Sequence, residues 1–145
     1  MKIIVLSQMV IEKLYPELSE SAVISITSSS GTPAKIEETK NLKEILFLKF
    51  DDLSKKTDEL EKKYIYFNEE LAAQILAFAE KHKDTLVVCQ CEAGISRSAG
   101  VAAALANIYN ASDKFYFTRY VPNSLVYSEI LKLHYGLKEQ PWGII

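Results

Sequence analysis

Residues 85–109, TLVVCQCEAGISRSAGVAAALANIY, limit the fold more than any other part of this chain. Thr85 to Gln90 is β-branched and apolar over the length of a strand. From about Arg97 to Tyr109 the chain turns alanine-rich, with Val101, Leu105 and Ile108 at helical spacing. A short Gly- and Ser-containing loop joins the two. A buried strand that passes so directly into a helix needs that helix to pack back on its own sheet. This is the habit of α/β domains, whose neighbouring strands run parallel.

The rest of the sequence agrees. Lys2 to Leu6, Ala22 to Ile26 and Ile45 to Phe50 read as strands, and TSSSGTP (27–33) as an exposed loop. The charged run LSKKTDELEKKY (53–64) reads as a surface loop or short helix. Asn68 can cap a helix from Glu69 to about His82, with Leu71, Ile75, Phe78 and Ala79 on one face. A last helix opens at Asn123 or Ser124 with Val126, Ile130 and Leu133 inward, and this pattern puts His134 on the buried face in a structural role. The expectation is an α/β fold with a mainly parallel central sheet flanked by helices, residues 1–145 forming one domain.

Composition bounds the function. A formal charge of −2, with acidic and basic residues interspersed, gives no electrostatic case for nucleic acid or a membrane surface. MKIIVL is too short for a signal peptide core, and no later stretch approaches the ~18 apolar residues of a spanning helix. The reading is a cytoplasmic monomer. Cys89 and Cys91, one residue apart on a strand, cannot bridge without a strained small ring. With His82 and His134 they lack the spacing of a structural zinc site.

Where the strand ends and the helix begins, backbone N–H groups are left unpaired and the helix dipole favours an anion. Gly94 permits a backbone conformation or close approach that a side chain resists. The same surroundings favour the thiolate of Cys91 and so a nucleophile at neutral pH. Arg97 offers a planar fork to two oxygens of a phosphate. Ser98 can donate its hydroxyl to the sulfur. Cys89, two residues earlier, shares the face of Cys91 and reads as core.

Cys91-Glu92-Ala93-Gly94-Ile95-Ser96-Arg97-Ser98 resembles the cysteine-x5-arginine-serine/threonine signature of the protein tyrosine phosphatase superfamily, and is most similar to its dual-specificity-like branch, small microbial members included. A bare Cys-x5-Arg recurs by chance; the glycine, the second serine, the strand before and the helix after make the pattern specific. Phe50-Asp51-Asp52 lies where this superfamily carries its general acid, and Val121-Pro122-Asn123 resembles a Pro-Asn element of many dual-specificity members. The resemblance covers about residues 45–135. Two departures stand out: Gln90 replaces the usual histidine before the nucleophile, and the segment between Asp52 and Tyr66-Phe67 is longer than in compact relatives.

The resemblance implies hydrolysis of phosphate monoesters, phosphotyrosine in proteins foremost and phosphoserine or phosphothreonine besides, through a cysteinyl-phosphate. Cys91 is then the nucleophile. The N–H groups of Glu92, Ala93, Gly94, Ile95, Ser96 and Arg97 hold the phosphate, and Ser98 assists. Asp52 is favoured as the acid, with Asp51 and then Asp58 as alternatives. No metal or cofactor is needed. The partner is a phosphorylated protein or a small phosphomonoester. Glu92, with no lysine in the loop, disfavours a highly phosphorylated inositol head group. Phe115-Tyr116-Phe117 with Tyr120 reads as core or packed loop, or as the lining of a phosphotyrosine cleft. Two rivals remain: a phosphate-binding module without turnover, and a rhodanese-like sulfurtransferase, against which the Arg-Ser pair argues.

Overall fold

The computed structural model describes residues 1–14, 19–137, 139–140 and 143–144. Four strands, β1 (Lys2–Ser7), β2 (Ser21–Thr27), β3 (Leu42–Lys49) and β4 (Leu86–Cys91), form one sheet in the order β1-β4-β2-β3. Every pairing in it is parallel. Central position explains burial: β2 is covered on both faces and buried along its whole length, with apolar Ala22, Val23, Ile24 and Ile26 interleaved with Ser21, Ser25 and Thr27. β3 lies at the edge and carries Lys43, Glu44 and Lys49, charges that blunt an open edge.

The helices are α1 (Gln8–Leu14), α2 (Asp58–Lys63), α3 (Glu69–Lys81), α4 (Arg97–Asn110), α5 (Lys114–Arg119) and α6 (Ser124–Tyr135). One face of the sheet packs under α3, α4 and α6, with Ile24, Val87, Cys89, Leu105 and Ile130 in a common core. The other face is thinner: Ile11 of α1 meets Val23, Val88 and Ala34. The short strands β5 (Glu139–Gln140) and β6 (Gly143–Ile144) pair antiparallel as a separate ribbon.

α4 is buried from Arg97 through Ala106. Only small side chains let a helix be covered on nearly every side, and the alanine run supplies them. Asn68 caps α3 by accepting from Leu71 N–H at 3.0 Å, and Asn123 caps α6 by accepting from Val126 N–H at 3.0 Å.

The sheet and four expected strands are present, but several boundaries differ. β3 begins at Leu42 rather than Ile45 and ends before Phe50, because its first residues, Leu42-Lys43-Glu44, lie at an open edge and lack a continuous apolar signal. The 53–64 segment contains α2. Helices α1 and α5 carry little signal in the sequence. α1 is a single short helix with no acidic residue in its first turn, and α5 is built from aromatic residues of weak helix propensity. His134 is exposed, not buried; its ring stands edge-on to Tyr135 at 4.7 Å. The inward face of α6 is carried by Val126 and Ile130, which are buried, and by Leu133, which is half-buried against the same core. Among the described residues no helix is long and apolar enough to cross a membrane.

Candidate active site

Because the four strands are parallel, their carboxyl ends lie on one side, and the chain leaves that side as Ser7-Gln8, Ser28, Phe50-Asp51-Asp52 and Glu92. Ligands of open α/β sheets bind at such an edge. Side chains alternate along β4, so Cys89 and Cys91 enter the helix-covered core while Gln90 points to the opposite face. Gln90 is fully buried there and accepts from Ser25 Oγ at 2.5 Å, tying β4 to β2. Its side chain is turned away from the cysteine that follows it.

Cys91 is 2% exposed. Its Sγ takes the Gly94 N–H at 3.3 Å and lies 3.0 Å from Ser98 Oγ. Gly94 has φ of +68°, and a Cβ there would stand 2.6 Å from Ser7 N. The loop therefore runs directly against the β1–α1 junction, and glycine meets both the conformational and the steric demand.

The loop's carbonyls are turned outward. Glu92 C=O accepts from Gln8 N–H at 3.1 Å, Ile95 C=O from Val121 N–H at 3.2 Å, and Ser96 C=O from Asn123 N–H at 2.9 Å. In a trans peptide the N–H points opposite to the C=O, so the N–H groups of Ala93, Ser96 and Arg97 turn toward the inside of the loop. Ser96 is the N-cap of α4 but makes no side-chain cap. Its hydroxyl goes instead to Asp52 Oδ1 at 2.8 Å. The N-terminus of α4 thus keeps its positive dipole end without a side-chain oxygen to answer it.

Arg97 is only 6% exposed. Its Nη1 donates to Ser28 Oγ and to Phe50 C=O, both at 2.9 Å. Its Nε is buried and has no hydrogen-bond partner among the described residues. A buried guanidinium N–H left so is costly unless an anionic acceptor comes to it.

The two neighbouring aspartates divide sharply. Asp52 is exposed and lies against the loop, its Oδ1 accepting from Ser96 Oγ and from Asn123 Nδ2, each at 2.8 Å. Asp51 is 8% exposed and has both oxygens engaged: Oδ1 accepts from Ser29 N–H at 3.0 Å and Oδ2 from Ile65 N–H at 2.8 Å. Burial pushes its acidity the other way, but the Ile65 and Ser29 hydrogen bonds and the Arg97 charge outweigh it and hold the carboxyl below the usual range. Asp58 sits in the first turn of α2, where a carboxylate answers the helix dipole.

Cys91, Gly94, Ser96, Arg97, Ser98 and Asp52 therefore meet at one place, with Glu92 and Ile95 exposed on the loop's outer side. Cys89 is fully buried, and that burial, with Cys91 close by, pushes its thiol far up. In the aromatic run, Tyr116 is core and donates its hydroxyl to Ile3 C=O at 2.9 Å, while Phe115 and Phe117 are exposed. Two groups at the site, Ser28 and the Phe50 carbonyl, are missed by sequence reasoning. The only signal for Ser28 is a Ser-rich loop following a strand. Asn123 carries a signal as a cap, not as a donor to Asp52. Among the described residues no three His, Cys, Asp or Glu side chains are grouped to hold a metal.

No family model matches this chain, and no curated protein matches it in sequence. Solved structures do. The human tyrosine phosphatase-like serine/threonine/tyrosine-interacting protein superposes with a TM-score of 0.63 at 14% identity, over 92% of this chain and 91% of its own. The Cydia pomonella PTP-2 phosphatase gives 0.54 at 20% identity, over 99% and 92%. Human DUSP28 gives 0.53 at 18% identity, over 92% of each chain. The chain has the fold of the tyrosine and dual-specificity phosphatases.

Proposed function

We propose that this protein is a cysteine-dependent phosphatase that hydrolyses phosphate monoesters, phosphotyrosine in proteins above all, through a cysteinyl-phosphate. The observation that carries the reading is Arg97. Its guanidinium is buried, anchored through Nη1 alone, and keeps a buried Nε–H unpaired among the described residues. A phosphate over Cys91 supplies the acceptor.

In this reading Cys91 Sγ attacks phosphorus, and the S–P bond forms as the P–O bond to the leaving group breaks. Asp52 gives its proton to the departing oxygen. Both donors to Asp52 go to Oδ1, which leaves Oδ2 to carry that proton. Asp52 then takes a proton from the water that attacks the phosphocysteine, and Ser98, 3.0 Å from Sγ, donates to the departing thiolate. The inward N–H groups, the α4 dipole and Arg97 meet the charge on the equatorial oxygens without reorganising; one such donor is worth about 3–4 kcal/mol in comparable sites.

Two features support an aryl ester. Ile95 and Val121 are 49% and 71% exposed and are joined backbone to backbone beside the loop, so the mouth has an apolar edge suited to a ring. Glu92 adds negative charge there, which disfavours polyphosphorylated substrates.

Hydrolysis of p-nitrophenyl phosphate and of a phosphotyrosine peptide tests the proposal. Cys91→Ser and Arg97→Lys should each remove nearly all turnover, and the Cys91→Ser protein should still bind the peptide. Binding by the wild type without any turnover would establish a phosphate-binding module instead. Sulfur transfer from thiosulfate to cyanide that survives Arg97→Ala would establish a sulfurtransferase.

A further inference from the structure

We propose that Asp51 is a positioning residue for Arg97: it sets the guanidinium in its phosphate-binding pose without touching substrate. The inference rests on the reading of Arg97 as a phosphate ligand. The geometry is a clamp between adjacent residues. Asp51 Oδ1 fastens Ser29 N–H at 3.0 Å, bringing the loop after β2 to the chain just after β3. The residues immediately before each of these, Ser28 and Phe50, supply the two acceptors of Arg97 Nη1, both at 2.9 Å. Fixing Ser29 against Asp51 therefore fixes the separation of those two acceptors.

Three further contacts stiffen the arrangement. Asp51 Oδ2 accepts from Ile65 N–H at 2.8 Å, and Asp51 N–H returns to Ile65 C=O at 2.7 Å, so the 64–66 segment backs the carboxylate. Ser28 C=O accepts from Gly31 N–H at 3.0 Å, closing the turn that presents the Ser28 hydroxyl. Phe50 N–H bonds Thr27 C=O at 2.9 Å, continuing the β2–β3 ladder up to the clamp. With Nη1 held at two points, the guanidinium plane is set and the buried Nε–H has one direction. Without the clamp, Ser28 belongs to a loop that is exposed from Ser30 to Pro33. A charge displaced by about 1 Å can lose on the order of 10²-fold in rate.

Asp51→Asn keeps the shape but presents an NH₂ to one of the two N–H donors, so one side of the clamp opens. The expected result is a fall in kcat/KM for aryl phosphates of roughly 10- to 100-fold, with orthovanadate inhibition weakened in parallel. The loss should be the same for good and poor leaving groups, whereas an Asp52→Asn loss should grow as the leaving group worsens. In an Arg97→Lys background Asp51→Asn should add less than about 3-fold to the weakening of inorganic phosphate binding, because the group it positions is gone. A loss that steepens with poorer leaving groups would make Asp51 the acid and overturn the inference. An equal loss in the Arg97→Lys background, or no loss at all, would overturn it too. Ser28→Ala removes one Nη1 acceptor and leaves the clamp intact; it should give the same uniform loss, and reads the inference out if Asp51→Asn does not fold. Wild-type protein that neither hydrolyses aryl phosphates nor binds phosphate would instead refute the phosphatase reading, and the inference with it.

Discussion

Replacing Gly94 by alanine tests whether the loop's closeness to the β1–α1 junction holds the site together. The added Cβ would lie 2.6 Å from Ser7 N, 2.8 Å from Leu6 C and 2.9 Å from Ser7 Cα. All three are backbone atoms of a strand end, so no side chain can swing aside. Two costs combine. An L-residue at φ of +68° loses about 1–2 kcal/mol, and forcing one carbon into a packed region loses about 1–3 kcal/mol. Gly136 separates them, since it has φ of +67° and nothing within 4 Å of an added Cβ. Gly136→Ala carries the conformational cost alone, and the unfolded-state gain of alanine is common to both variants. Gly94→Ala should thus be less stable than Gly136→Ala by about 1–3 kcal/mol, or roughly 4–12 °C in Tm for a chain of this length. Urea and thermal unfolding followed by circular dichroism measure the difference. On the proposed reading Gly94→Ala should also lose most phosphatase activity, because pushing the loop off the Ser7 backbone moves the Gly94 N–H away from Cys91 Sγ, while Gly136→Ala keeps it. Equal stabilities for the two variants would refute the steric argument.

Further outcomes follow from other contacts. Iodoacetamide at neutral pH should alkylate Cys91 and spare Cys89, whose buried thiol stays protonated; mass spectrometry that found both modified in folded protein would contradict this. Asn123→Ala should lose about 1 kcal/mol through the α6 cap and release Asp52, whereas Asn123→Asp should keep the cap yet still impair turnover of substrates with poor leaving groups. Asp51 is held below its unfolded value of about 3.9, so its contribution to stability is present above that pH and fades as pH falls through the lower folded value. Unfolding free energy measured against pH should therefore drop below about pH 4 in the wild type, and Asp51→Asn should flatten that part of the curve.

The α/β class, the strand–loop–helix unit and the Cys91–Arg97–Ser98 grouping were legible in the residues because each rests on local order. A β-branched run, a glycine turn and an alanine-rich helix lie end to end, and the short spacing from Cys91 to Ser98 closes one loop. Alternation on β4 could put Cys89 and Cys91 on the same face, and the fold buries both. The edge strand β3, helix α1 and the exposure of His134 were not legible, since they depend on what packs against them.

The site divides along the same line. Residue order alone was enough to set a cysteine, a glycine and an arginine in one loop between a strand and a helix, because they lie within seven residues of one another. The hydrogen bonds that Gln8, Val121 and Asn123 make to that loop's carbonyls came only with the fold. Choosing between two adjacent carboxylates required the packed fold. Asp51 and Asp52 are chemically alike and adjacent in the chain, but Ser29 and Ile65 claim one while Ser96 and Asn123 hold the other at the loop. Those donors come from segments far apart in the chain, and the parallel sheet brings them to one edge.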